Sequence, residues 1–176
     1  IREVIKALGI QNPPNIYLMH GDLTQKELNC LYNHRKVKAM ISFTHGEGFG
    51  RPLLEFSVTG KPTIAPAWSG QKDFLEKYGI LIGGTLKQVH KSAVWDKVIL
   101  PESKWFYVDP NNASLTMREI HKNYKKHLVR TRKQTQYVKD NFTLDKMKKD
   151  FNNLIESYGK GIPQKVELKL PTLEKV

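Results

Sequence analysis

Glu47-Gly-Phe-Gly-Arg-Pro-Leu-Leu-Glu55, preceded by Val37-Lys-Ala-Met-Ile-Ser-Phe43, is the stretch on which the fold turns. The earlier run is apolar and partly β-branched, the pattern of a buried strand. Pro52 suits the first turn of a helix, and Gly60 is a natural stop. The unit therefore reads strand, glycine loop, helix, with free backbone N–H groups at the helix start. Such a start favours an anion, and phosphate is the commonest biological one. A carboxylate inside that loop would repel phosphate, so Glu47 is assigned to hydroxyl groups beside it. Glu55, one turn into the helix, can accept hydrogen bonds from a diol such as a ribose. A phosphate cradle with two hydroxyl-binding carboxylates is the outline of a nucleotide-sugar site.

The flanking sequence repeats the same alternation. Val4, Ile5 and Leu8 predict the end of a helix capped by Gly9, followed by a turn at Asn12-Pro-Pro-Asn15 and a strand over Ile16–Met19. Thr24-Gln-Lys-Glu27 is a capping box, which starts a helix carrying Leu28, Leu31 and Tyr32 inward. Beyond the motif come a strand at Lys61–Ala65, a short helix over Gln71–Tyr78 and a strand at Gly79–Ile82. Strands alternating with helices at this spacing imply a parallel sheet with helices on both faces. The segment 83–104 breaks the rhythm and reads as an insertion of one or two strands packed near the site, in which His90 and Trp95 are assigned structural roles. A helix over Ser114–Lys139 then sets Ile120, Tyr124 and Leu128 on one face. A second helix, capped by Thr143, sets Leu144, Met147, Phe151, Leu154, Ile155 and Tyr158 on an apolar stripe. One domain over 1–158 is expected, followed by an extended tail over 159–176 in which Lys165–Leu170 alternates polar and apolar residues.

The pattern E-G-F-G-x-P-x-x-E resembles the signature of retaining glycosyltransferases of the GT-B fold, specifically the family 4 type. The resemblance runs in order over residues 15–158. Asn15–Leu23 followed by Thr24–Tyr32 is similar to the family's strand, loop and helix, and Gly60-Lys-Pro-Thr-Ile-Ala65 to its G-x-P-V-I-A strand. Trp68-Ser-Gly-Gln-Lys-Asp-Phe74 stands where the family has a G-G-x-x-E loop. Trp105–Pro110 resembles its L-V-D-P strand end, and Asn141–Asp145 the start of its last helix. The implied fold is a Rossmann-like parallel sheet with helices on both faces, the C-terminal half of a GT-B enzyme, closed by two C-terminal helices.

The resemblance also implies roles. Glu47 is the catalytic-site carboxylate on the donor sugar's hydroxyls, and Glu55 binds the nucleotide ribose. The N–H groups of Phe49, Gly50 and Arg51 hold the diphosphate, with Gly48 and Gly50 permitting close backbone approach. Pro52 and Leu53 complete the donor-binding segment, and Gly21 and Leu23 match the part of the family that contacts the base. Arg51 departs from the usual aliphatic residue; it either adds a cation for phosphate or pairs with Glu55 at i,i+4. The donor would be a UDP- or GDP-sugar, with no further cofactor and no metal. The family's phosphate-binding Arg and Lys lie earlier in its donor domain, and its acceptor site lies in a separate N-terminal domain. The chain is therefore expected to be a fragment or processed product that binds donor weakly and does not turn it over alone.

Composition narrows the alternatives. A single cysteine, Cys30, excludes an internal disulfide and any cysteine-rich metal site, and packing on an apolar helix face is its expected role. The zinc-deaminase reading invited by His45-Gly-Glu47 fails for the same reason, since it needs two cysteines in P-C-x-x-C; His45 is expected to order the loop. His20 is expected to cap its strand end. No apolar run is long enough to span a membrane and the start is not a signal peptide, so a soluble, cytoplasmic protein is expected. The net charge is +12, and residues 118–149 carry 11 Lys+Arg against 3 Asp+Glu, giving +8 of it. That excess is either a solvated helix face or a surface for an acidic acceptor such as nucleic acid or an anionic membrane. A non-catalytic nucleotide- or nucleic-acid-binding module on the same fold is the alternative from a different functional class.

Overall fold

Between β1 (Met40–Ile41) and β3 (Ile80–Ile82) runs β2 (Thr63–Pro66), all four of whose residues are buried. In the computed structural model, which describes residues 2–161, these strands form a parallel sheet in the order β1-β2-β3. Met40 lies opposite Thr63, and Ile64 lies opposite both Ile41 and Ile80. A strand flanked on both edges and covered on both faces can hold only apolar or fully bonded residues, which is why Thr-Ile-Ala-Pro reads as a continuous run without alternation.

Neighbouring residues of β2 point to opposite faces and enter different cores. Ala65 joins Leu53, Phe74, Leu75 and Val138. Ile64 joins Ile80, Ile82, Ala113 and Ile120. The first cluster takes its helices from α3 (Arg51–Ser57), α4 (Lys72–Leu75) and α6 (Tyr124–Asn141); the second is covered by α5 (Pro110–Lys122). The protein is thus a mixed α/β structure with a small parallel sheet. A second, antiparallel pair joins β4 (Gly84–Gln88), inside the expected insertion over 83–104, to β5 (Lys104–Val108), which coincides with the strand end expected at Trp105–Pro110, and between the two Lys91–Ala93 forms a 3₁₀ turn.

Several elements differ from expectation. The helix expected over Ser114–Lys139 is two helices, broken at Asn123 (φ −114°, ψ 34°), although Ile120 and Tyr124 still meet in one apolar cluster. Gly84 opens β4 and pairs with Val108 so closely that a Cβ there would strike the Tyr107 carbonyl. Thr143 caps α7 (Leu144–Tyr158) as expected, through Lys146 N–H at 3.2 Å. Its apolar stripe is not inward, however: Leu144 is 67 % exposed and Phe151 62 %. Gly159–Gly161 forms a 3₁₀ turn, and the remainder of the expected tail, 162–176, lies outside the described residues.

Within the span expected as one domain the chain makes two compact units, Ile1–His34 and Arg35–Val176. The first contains α1 (Arg2–Ala7), ended by Gly9 at φ 62°, and α2 (Gln25–Asn33). The capping box of α2 is fully formed: Glu27 N–H donates to Thr24 Oγ1 at 3.3 Å, and Thr24 N–H to the Glu27 carboxylate at 2.8 Å. The Thr24 hydroxyl and N–H together hold the Glu27 carboxyl below the ordinary carboxylate range. The expected strand Ile16–Met19 does not form. A strand is held by ladder hydrogen bonds, and among the described residues none pairs with this stretch, which leaves Tyr17 84 % and Leu18 80 % exposed. Cys30, expected to pack, is exposed.

α6 is tied to its neighbours through polar side chains. The Thr131 hydroxyl donates to Gly60 O at 2.6 Å, Gln134 Nε2 to Phe74 O at 2.5 Å, and Thr135 Oγ1 to Ser57 O at 3.0 Å. Arg130 reaches the carbonyls of Tyr78 and Gly79. These acceptors sit at or just past the C-terminal ends of α3 and α4, where helical carbonyls lose their intrahelical partners. Replacing Thr131 by Val keeps the shape and removes the donor. The expected loss is about 1–3 kcal/mol of unfolding free energy in urea titration, while the exposed substitution Thr85→Val on β4 should change it by less than about 0.5 kcal/mol.

Candidate functional site

The motif loop leaves β1 and is seated on the loop after β2. Glu47 N–H donates to Ser69 Oγ at 3.1 Å, and the Ser69 hydroxyl donates to Glu47 O at 2.5 Å. Gly70 N–H adds a second bond to the same carbonyl at 3.0 Å. Both backbone groups of Glu47 are therefore occupied, which fixes where its half-buried side chain starts. Ser69 reaches this position at φ 71°, in the left-handed region that favours glycine. Gly70 has no alternative, because a Cβ there would collide with the Gly48 carbonyl and the Phe49 backbone.

The loop turns into α3 through Gly50, left-handed at φ 84° and ψ 44°, whose Cβ position would press on Gln71 Cβ at 3.2 Å. Gly50 O accepts from Leu53 and Leu54 N–H at 3.0 and 3.1 Å. Among the described residues no hydrogen bond takes up the N–H of Phe49, Gly50 or Arg51. Phe49 is half-buried with its ring 5.3 Å from Phe74, so its side chain anchors the loop. Pro52 is exposed in the first turn. Leu53 is 2 % exposed in the core, and its N–H is spent on Gly50, so it positions α3 from behind.

Glu55 lies one turn on, and Arg51 Nε donates to its Oε1 at 2.6 Å. Of the two roles open for Arg51, the pair with Glu55 is the one that is formed; the Glu55 hydrogen bond and charge raise the guanidinium further above its already high range. The pair is solvent-exposed and contributes little to stability. Its effect is local: it presents a cation and a carboxylate side by side at the start of α3. Gly21 (φ 130°) and the exposed Leu23 belong to the unit Ile1–His34, in the stretch that leads into α2.

His45 orders the loop, as expected, and does so through β5. Phe106 N–H donates to His45 O at 3.2 Å, and His45 Nδ1 is 2.9 Å from Phe106 O. A carbonyl only accepts, so Nδ1 carries the proton in this contact. The imidazole stacks on Trp105 at 4.8 Å and 9°, and meets Tyr107 at 4.4 Å. On the other face of β5, Phe106 stacks with Trp68 at 5.9 Å and 6°. β5 therefore carries an aromatic wall to the edge of the motif loop. Sequence reasoning missed Trp68, Trp105, Tyr107 and Ser69 as site-forming residues. The alternation Trp105-Phe-Tyr107 was the available sign of a two-faced strand. Ser92 N–H donates to His90 Nδ1 at 3.2 Å, and the backbone of Trp95, a residue 66 % exposed, bridges to Ile99.

An apolar cleft of about 400 Å³ lies elsewhere, lined by Lys38, Ile41, Ile64, Met117, Ile120 and Tyr124 among others. It includes no residue of the motif and no carboxylate. Among the described residues no cluster of His, Cys, Asp and Glu could hold a metal ion. No protein-family model matches the chain, and no curated protein matches it.

The seat of Glu47 separates two effects that substitution can resolve. Ser69→Ala removes the hydroxyl and keeps a side chain at positive φ, with an expected cost of about 1–3 kcal/mol. Ser69→Gly removes the same hydroxyl and relieves roughly 1 kcal/mol of left-handed strain, so its loss in denaturant titration should be smaller. Equal losses would mean that the backbone at residue 69 is unstrained.

Proposed function

We propose that this chain is the donor-binding part of a retaining glycosyltransferase of the GT-B fold, family 4 type, which transfers a hexose from a nucleoside-diphosphate sugar to an acceptor. The observation that carries the reading is the motif loop itself. Three consecutive N–H groups, at residues 49–51, are unbonded among the described residues between two carboxylates whose positions are set from behind. Successive free N–H groups on a glycine loop suit a phosphate, and carboxylates beside them suit hydroxyls. Ser69 adds independent support, because it adopts a glycine-favouring φ at the place where the resembling family carries glycine. The fold-level reading, a Rossmann-like half of a GT-B enzyme, draws on the parallel sheet and on the ordered motifs.

In this reading Glu47 accepts hydrogen bonds from the hexose hydroxyls and orients the anomeric carbon. Glu55 takes the ribose diol, sharing its carboxylate with Arg51, whose cation then stands next to the diphosphate. The N–H groups of Phe49, Gly50 and Arg51 stabilise the charge that builds on the departing diphosphate, and because they are held in place they need no reorganisation. The acceptor site would come from a separate N-terminal domain of the parent enzyme, and further phosphate-binding cations from an earlier part of its donor domain. A cytoplasmic setting fits; no described helix is long and apolar enough to cross a membrane.

The second reading, a binding module for an acidic partner, draws on the exposed Lys125, Lys126, Arg132 and Lys133 of α6. If these cations hold an acidic acceptor, reversing all four charges should flatten the salt dependence of acceptor binding. An unchanged slope in titrations between low and physiological salt would leave them as a solvated helix face.

The donor site is tested by calorimetry and thermal shift with UDP-, GDP- and ADP-sugars. One donor class should raise the melting temperature, and Glu55→Ala should weaken its binding roughly 10- to 100-fold, the worth of hydrogen bonds to a charged group. Binding that ignores both Glu55→Ala and Glu47→Ala would place the ligand elsewhere and end this assignment.

A further inference from the structure

Trp68 is the large aromatic beside the motif that the donor reading leaves without a task. One face of its indole lies on Phe106. The residue is nevertheless 40 % exposed. Its backbone neighbour Ser69 bonds both main-chain groups of Glu47, and its Nε1 lies 3.9 Å from where a Cβ on Gly46 would stand. The indole and the Glu47 carboxylate are thus carried by two loops bonded to each other within one residue of each. The platform is also rigid from behind. Phe106 is buried, and both its N–H and its carbonyl are engaged by His45.

We propose that Trp68 is the stacking platform for the hexose ring whose hydroxyls Glu47 binds. The inference rests on the donor-binding reading and adds a residue that the motif does not contain. A pyranose has a rim of hydroxyls and faces of weakly polarised C–H groups. A site that holds one needs acceptors for the rim and an apolar aromatic surface for a face, and the negative face of an indole suits C–H groups. Glu47 supplies the first and Trp68 the second. Gly46 keeps the ground between them clear: its φ lies outside the left-handed region and nothing comes closer than 3.7 Å to an added Cβ, so packing alone does not demand glycine there.

The test compares UDP with UDP-glucose and GDP with GDP-mannose by calorimetry on the full chain, taking the ratio of dissociation constants within each pair as the contribution of the sugar. In Trp68→Ala, nucleoside diphosphate should bind within about twofold of the parent, while the sugar contribution falls roughly three- to tenfold. Trp68→Phe should retain most of that contribution. Gly46→Leu should abolish it by filling the space beside the indole, with an unchanged melting temperature. If Trp68→Ala fails to fold, Trp68→Phe and Gly46→Leu decide the matter. A sugar contribution that survives Trp68→Ala or Gly46→Leu overturns the platform and leaves the donor reading standing. Absence of any nucleotide binding in the parent chain overturns both.

Discussion

The arrangement of the candidate site depends on one short exchange of hydrogen bonds, the Ser69 hydroxyl with the N–H and carbonyl of Glu47. Glycine loops have no side chains with which to hold themselves, and Glu47 stands between Gly46 and Gly48. Its geometry must therefore be imposed from outside. Ser69 imposes it at the expense of a left-handed backbone, and Gly70 completes it by admitting the Gly48 carbonyl to a space where any side chain would stand. The same contact joins the end of β1 to the end of β2, so the loop that carries the chemistry is braced by the sheet that carries the fold.

α3 is braced from its other end. Its start is aimed by Gly50, and its last carbonyls are taken by Thr135 and, just beyond them, Thr131. A seven-residue helix has too few internal bonds to be stable alone, so its direction is set by what bonds its ends and by Leu53 and Phe56 beneath it. α6 does this with hydroxyls and an amide where an apolar helix face would have satisfied packing but stranded carbonyls. The polarity of its inner face is a structural requirement, and it explains why a helix so rich in Lys and Arg can still pack.

The strand, glycine loop and helix of the motif were legible because periodicity, Pro52 and Gly50 act locally. So were the caps: Thr24 and Thr143 do their work within three residues. What was not legible is what depends on distant partners. Ile16–Met19 has the composition of a strand, but composition supplies no ladder partner. The stripe on α7 has the period of a packed face, but period does not say what it packs on. Asn123 breaks a helix that residue propensities would continue, and Asn123 Nδ2 bonds the Glu119 carboxylate at the turn. At the site, Glu47 and Glu55 were marked by spacing, whereas Ser69 and Trp68 matter through contacts more than twenty residues away in sequence. β4 was anticipated as part of an insertion and β5 as a strand end, yet their pairing and the clamp on His45 could not be read from either segment alone.

The exposed stripe of α7 has a colloidal consequence. Leu144, Phe151 and Leu154 offer apolar surface that water disfavours, while the strongly cationic stretch 118–149 makes copies of the chain repel each other. That repulsion reaches only about a Debye length, roughly 10 Å at 0.1 M salt and 3 Å at 1 M. Ionic strength therefore acts in the sense opposite to salting-in: dilute buffers keep the molecules apart, and concentrated salt, by removing the repulsion and strengthening apolar association, turns the protein toward precipitation.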